Sequence, residues 1–390
     1  MFKKLLLTII CLINAFICYS QIDKITVPAY VRLPADSVQA KNLISSLEGF
    51  LQATTKPNNE NPFVWKEQLT ETSALLDELK GMENGNKPDQ KNNYSCTLNN
   101  VVLMDSTDYI LQFSYIGKSQ GAPVIRASFK LLAKKAGDHY YFYSPLQRNT
   151  QTWKVKKIGS FDFYYRTSLN TTLINDYVKK AKQFDKKLLA PSYTTIMYFC
   201  DNAQEALELL GVTYKVDYNG LQHDNFSAFE NNQNLTVCGY NSSDQESLDI
   251  HDCWHLRLRR AKPGASINRF IDEGCAYLYG GSWGYSWPYI FKKFKEYTGS
   301  TTDWLTTYAE NKKFGENAHK PLYIAYVINA LLAQKIEKDK GFAGVMDFLA
   351  SGKKQKDDED YFKALDKIDG INRSNFNAIA GKLVMDESAK

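Results

Sequence analysis

The chain has 390 residues, 48 basic and 43 acidic side chains, and 44% hydrophobic residues, enough apolar material to organise two hydrophobic cores and too much for a disordered chain. A formal net charge of +5 is small for this length, and lysine and arginine form no concentrated stripe, which argues against a nucleic-acid partner.

In chain order, Lys3 and Lys4, the apolar run over residues 5–18 and the small residue Ser20 predict a cleavable signal peptide over residues 1–20. The run is too short to span a bilayer with ordinary flanks, and no later segment is longer and more apolar. The mature chain is therefore expected to be secreted or periplasmic, with no transmembrane segment. It keeps Cys96, Cys200, Cys238, Cys253 and Cys275. None forms a Cys-x-x-Cys pair, so a thiolate zinc site is not expected. Cys200 and Cys238, each on an expected strand, are the candidate bridge.

Residues 21–156 read as an N-terminal α+β domain. Leu43, Ile44, Leu47, Phe50 and Leu51 recur at helical spacing, and a polar stretch at 83–94 reads as a loop. Short alternating or β-branched runs follow around 97–104, 109–116, 124–133 and 139–143. One or two helices followed by a curved antiparallel sheet is the pattern of an NTF2-like or cystatin-like module.

Residues 157–390 form the second expected domain, also α+β. A strand at 160–166 precedes an amphipathic helix with Leu173, Ile174, Tyr177, Val178 and Ala181 on one face. A strand at 193–199, a helix at 202–210 stopped by Gly211 and a strand at 235–240 come next. A histidine segment, a glycine-rich aromatic loop at 280–288 and a largely helical final third complete the chain.

Chemistry concentrates in the histidine segment. Of five histidines, two stand four apart in His251-Asp252-Cys253-Trp254-His255. On a helix that spacing puts both imidazoles on one face, where they can reach a single ion. Zinc at a catalytic site needs a third protein ligand and an open position. Eighteen residues after His255 stands Glu273, in Ile271-Asp272-Glu273-Gly274-Cys275-Ala276-Tyr277. Without a metal, the histidines would be a structural pair and Glu273 a carboxylate favoured near a helix start. A phosphohydrolase built on His251-Asp252 would need further ligands, for which His223-Asp224 is the other candidate.

The succession of strands, His-x-x-x-His helix and D-E-G-x-A-x-Y helix over residues 157–380 resembles the gluzincin zinc metallopeptidases of the peptidase MA-like family. The resemblance implies zinc held by His251, His255 and Glu273, and a peptide or protein substrate. The motif departs from H-E-x-x-H, because Asp252 stands where the family has the glutamate that serves as general base. The resemblance makes Asp252 the base and offers Tyr323 or Tyr326 as the stabiliser of the developing oxyanion, although aromatics at this spacing also suit a core. Two functions follow: an exported zinc-dependent hydrolase, or a catalytically impaired gluzincin-fold scaffold of the cell envelope.

Overall fold

The first helix begins where Asp36 accepts the Val38 and Gln39 amides at 2.8 and 2.9 Å, a side-chain cap for otherwise unpaired donors. Helix α1 (Ser37–Gln52) buries Leu43, Leu47, Phe50 and Leu51, the stripe its spacing predicts. The computed structural model describes residues 25–82, 94–105, 107–263, 266–353 and 357–390. The signal peptide expected over 1–20 and most of the loop expected at 83–94 lie outside them.

After α2 (Leu69–Leu79) come β1 (Ser95–Leu103), β2 (Tyr109–Ser119), β3 (Ala122–Ala136) and β4 (His139–Tyr143), an antiparallel meander in sequence order. A short helix, α3 (Leu146–Asn149), leads to the hairpin β5 (Lys154–Ile158) and β6 (Phe161–Tyr165), and then to α4 (Thr171–Leu188). Next come β7 (Thr194–Phe199), α5 (Ala203–Leu210), β8 (Val212–Lys215), β9 (Asn225–Glu230) and β10 (Gln233–Cys238). Strand β8 adds to the first sheet against β3, while the second sheet runs β5-β6-β7-β10-β9. That second sheet is mixed: β6, β7 and β10 are parallel, and the edge strand β9 is antiparallel to β10.

The register explains the cysteines. Cys238 pairs with Phe199, so Cys200, one residue on, faces the opposite side of the sheet. The expected Cys200–Cys238 bridge is therefore absent, and both residues are buried thiols, as are Cys96, Cys253 and Cys275.

The chain divides into two compact units: residues 1–166 with 194–240, and residues 167–193 with 241–390. The boundary expected between residues 156 and 157 falls inside β5, and both five-stranded sheets belong to the first unit. The core of this unit gathers Leu47, Phe50, Leu75, Phe113, Phe129 and Phe142 with Leu207, Leu235 and Val237.

The second unit is largely helical. It contains α4, α6 (Ile250–Ala261), α7 (Arg269–Gly280), α8 (Trp287–Thr298) and α9 (Trp304–Glu310). The two-stranded ribbon β11 (Lys313–Phe314) and β12 (Leu322–Tyr323) precedes α10 (Ile324–Leu349), α11 (Glu359–Asp369) and α12 (Phe376–Ser388). Helix α10 breaks at Gly341, with φ 72° and ψ −178°, within Lys340-Gly341-Phe342. Among the described residues no helix is long and apolar enough to cross a membrane.

Two glycines set the close approaches of α7. A Cβ on Gly274 would lie 2.8 Å from Asn329 Cβ and from the Tyr326 carbonyl, so the helix packs on α10 only without a side chain there. A Cβ on Gly280 would lie 2.9 Å from the Ile250 carbonyl and 3.1 Å from His251 Cα, so the end of α7 meets the start of α6. Gly274→Ala is expected to destabilise the protein by about 1–3 kcal/mol, because neither neighbour is the free end of a side chain. Chemical denaturation of the two proteins measures the difference, and an unchanged midpoint would contradict this packing.

Candidate metal centre

Helix α6 starts at Asp249, whose carboxylate accepts the His251 amide at 2.8 Å. Helix α7 starts at Asn268, which accepts the Phe270 amide at 3.1 Å. These caps fix where the two helices begin, and the four-residue spacing does the rest. His251 Nε2 lies 3.1 Å from His255 Nε2. Glu273 Oε2 lies 3.4 Å from His251 Nε2 and 3.9 Å from His255 Nε2. The three part-buried side chains thus offer one ligand atom each, all within 4.8 Å of one another.

The other ring nitrogens decide what these atoms are. His251 Nδ1 lies 2.8 Å from the Gly281 carbonyl oxygen, and His255 Nδ1 lies 2.9 Å from Asp272 Oδ1. A carbonyl and a carboxylate only accept, so both Nδ1 atoms carry protons, and a neutral Nε2 presents a lone pair. The Trp254 indole also donates to Asp272 Oδ1, at 3.0 Å, and so steadies that carboxylate. Two lone pairs and a carboxylate converging at such distances repel unless a cation lies among them. Tetrahedral zinc at usual bond lengths separates its N and O ligands by about 3.3 Å, so the donor set and spacing fit that ion. The outer hydrogen bonds are of the kind that orient metal-binding imidazoles.

Without metal, a proton takes the cation's place. Burial works to lower the His251 pKa but is outweighed by the Glu273 carboxylate, the Gly281 carbonyl and Asp249, so the imidazole is held above its ordinary value. Burial works to raise Glu273, but the hydrogen bond from His251 and the charges of His255, His251 and Arg269 hold it below the usual range.

The signs then give a pH dependence. A raised histidine contributes stability that is complete below its unfolded value of 6.5 and is lost as pH climbs through the folded one. A depressed carboxylate contributes above its unfolded value of 4.5 and loses this as pH falls through the folded one. The metal-free protein should therefore lose thermal stability as pH rises above about 6.5, while zinc, competing with the same proton, should bind more tightly. Melting curves with and without zinc at about pH 6 and 8 check both signs. A zinc-induced shift that shrinks with rising pH would contradict the assignment.

No family model, curated protein or solved structure matches the chain.

The remaining candidate residues take distinct places. Asp252 is exposed on α6 and, among the described residues, makes no hydrogen bond or ion pair. Tyr326 is 8% exposed, with its ring 5.6 Å from Tyr277, 5.4 Å from Phe270 and 5.1 Å from Tyr323. Burial first, then the Glu273 charge, pushes its hydroxyl up to about 12, so it stays protonated and able to donate. Tyr323 is part-buried at the end of β12 and packs against Tyr326. His223 lies in the first unit, bonded to the Gly239 carbonyl at 2.7 Å and stacked on Tyr240.

Three groups at the centre had not been singled out from sequence. The Gly281 carbonyl is a backbone atom and leaves no signal. The Trp254 indole reaches Asp272 only through the folded approach of two helices. Arg269 did leave one: it stands four residues before Glu273, and its Nε lies 3.5 Å from Glu273 Oε1.

Proposed function

We propose that the protein is a zinc-dependent hydrolase, most simply a peptidase of gluzincin type, exported from the cell. The observation that carries this reading is the convergence of His251 Nε2, His255 Nε2 and Glu273 Oε2, with both imidazoles oriented from behind. In this reading the gluzincin domain draws on residues 157–390, and residues 21–156 form an NTF2-like or cystatin-like module that restricts or positions substrates.

Zinc held by these three side chains would supply Lewis acidity to polarise the scissile carbonyl and lower the pKa of water. The protein's own residues supply the rest. Asp272 and Gly281 hold the imidazoles in the tautomer that leaves Nε2 free. Asp252 is the group that takes a proton from the attacking water and returns it to the leaving amine. Tyr326, kept protonated by burial beside Glu273, is the candidate donor to the oxygen that gains charge, with Tyr323 packed against it.

A second reading has its own support. Aspartate is one methylene shorter than glutamate, so its carboxylate sits about 1–1.5 Å back, and displacements of that size cost orders of magnitude in rate. A metal-binding but catalytically impaired scaffold of the cell envelope would tolerate the change, because Asp252 is not among the three converging ligands.

The test is the metal content of the purified mature protein, wild type against His251→Ala, with cleavage of a peptide pool measured alongside. Absence of zinc from the wild type would end both readings. Zinc without chelator-sensitive cleavage would leave the scaffold.

A further inference from the structure

Arg269 stands one helical turn before Glu273, and its side chain is 78% exposed. Its Nε faces Glu273 Oε1 at 3.5 Å, and the guanidinium sits close enough to Tyr326 to oppose the rise of that hydroxyl. Beyond these contacts, most of the side chain is open to solvent beside the Glu273 ligand. A second exposed cation, Lys313, places Nζ 5.7 Å from the centre of the Tyr323 ring, which packs on Tyr326. Two cations therefore flank the tyrosine pair. Of the nearby acidic side chains on α6 and α7, Asp252 is exposed, while Asp249, Asp272 and Glu273 are part-buried.

The charge of Glu273 is what Arg269 answers to in the metal-free protein. A divalent ion bound at Oε2 draws on the same single negative charge, leaving the guanidinium undercompensated. An anion then becomes its natural partner, and the planar fork of arginine is matched to a carboxylate.

We propose that Arg269 is a substrate-binding residue that anchors a carboxylate, so that the site takes peptides presenting one beside the metal centre, the anion being either a peptide C-terminus or an Asp or Glu side chain. This deepens the metal-centre reading and rests on it. A role confined to steadying Glu273 would change metal affinity and the binding of every metal-directed ligand together. An anchoring role changes only ligands that carry a second carboxylate.

The experiment uses the full mature chain loaded with cobalt(II), whose visible bands report ligand binding without turnover. Glutarate and pentanoate have the same number of carbons, and only glutarate offers a second carboxylate. The wild type is expected to bind glutarate at least about tenfold more tightly than pentanoate, as a charge-assisted hydrogen bond allows. Arg269→Gln should abolish that preference with pentanoate binding unchanged, and Arg269→Lys should keep part of it. In a second arm, trialanine as the free acid and N-acetyl-alanyl-glutamic acid α-amide, whose one carboxylate is the side chain, compete against glutarate. The competitor that weakens in Arg269→Gln identifies the source of the carboxylate. Equal affinity for glutarate and pentanoate in the wild type, a preference that survives in Arg269→Gln, or no arginine-dependent competitor would overturn the proposal. Failure to take up cobalt at all would remove the metal centre itself, and the proposal with it.

Discussion

His251→Ala should lower the bound zinc of the purified protein from about one equivalent to about none, because it removes one of the three ligands that converge among the described residues. The two that remain, His255 Nε2 and Glu273 Oε2, are the most widely separated of the measured pairs, at 3.9 Å. Losing His251 also frees the Gly281 carbonyl, the contact that ties the loop after α7 to the start of α6. The consequence for stability is just as large. A ligand present at a thousand times its dissociation constant stabilises the state that binds it by about 4 kcal/mol. Zinc should therefore raise the melting temperature of the wild type and leave that of His251→Ala unmoved. Metal-free samples of the two proteins should lie much closer together, which separates loss of the ion from a folding defect. Zinc retained at wild-type stoichiometry in the mutant would place any metal elsewhere and dissolve the centre.

Much of this centre was legible because helical spacing acts directly on side chains. The intervals His251–His255 and Asp272–Glu273 need only two helices to become geometry, and the capping residues Asp249 and Asn268 mark where those helices begin. The α+β character was legible for the same reason: α1 and β1–β4 carry the periodicities of half-buried elements. What could not be read depends on the third dimension. Strand β5 is exposed along almost its whole length, so Lys154-Val155-Lys156-Lys157-Ile158 shows no apolar alternation and a boundary fell inside it. The sides faced by Cys200 and Cys238 follow from a one-residue offset in strand register, which composition does not encode. The contact of the Gly281 carbonyl with His251 depends on the clearance at Gly280, a pairing of residues 30 apart.

The identity of the residue after His251 carries the other large effect. Asp252→Asn should keep zinc at its full stoichiometry, since Asp252 is outside the ligand set, and lower peptide turnover, by less than the ~10²–10⁴-fold that a fully positioned general base is worth. Asp252→Glu tests reach and chemistry separately. Asp252 is exposed and has no hydrogen bond or ion pair among the described residues, so nothing observed holds its carboxylate in a tuned position. A glutamate there extends about 1–1.5 Å further with the same acid–base chemistry, and turnover should rise at least about tenfold. Both variants should bind zinc like the wild type, so the change in rate cannot be assigned to the metal. A fall in turnover on lengthening the side chain would mean that the pocket is built around aspartate, and the protein is then a tuned hydrolase. Activity that appears only in the glutamate variant would instead identify the natural chain as the impaired scaffold, with the metal kept for shape and the missing methylene as the reason no bond is cut.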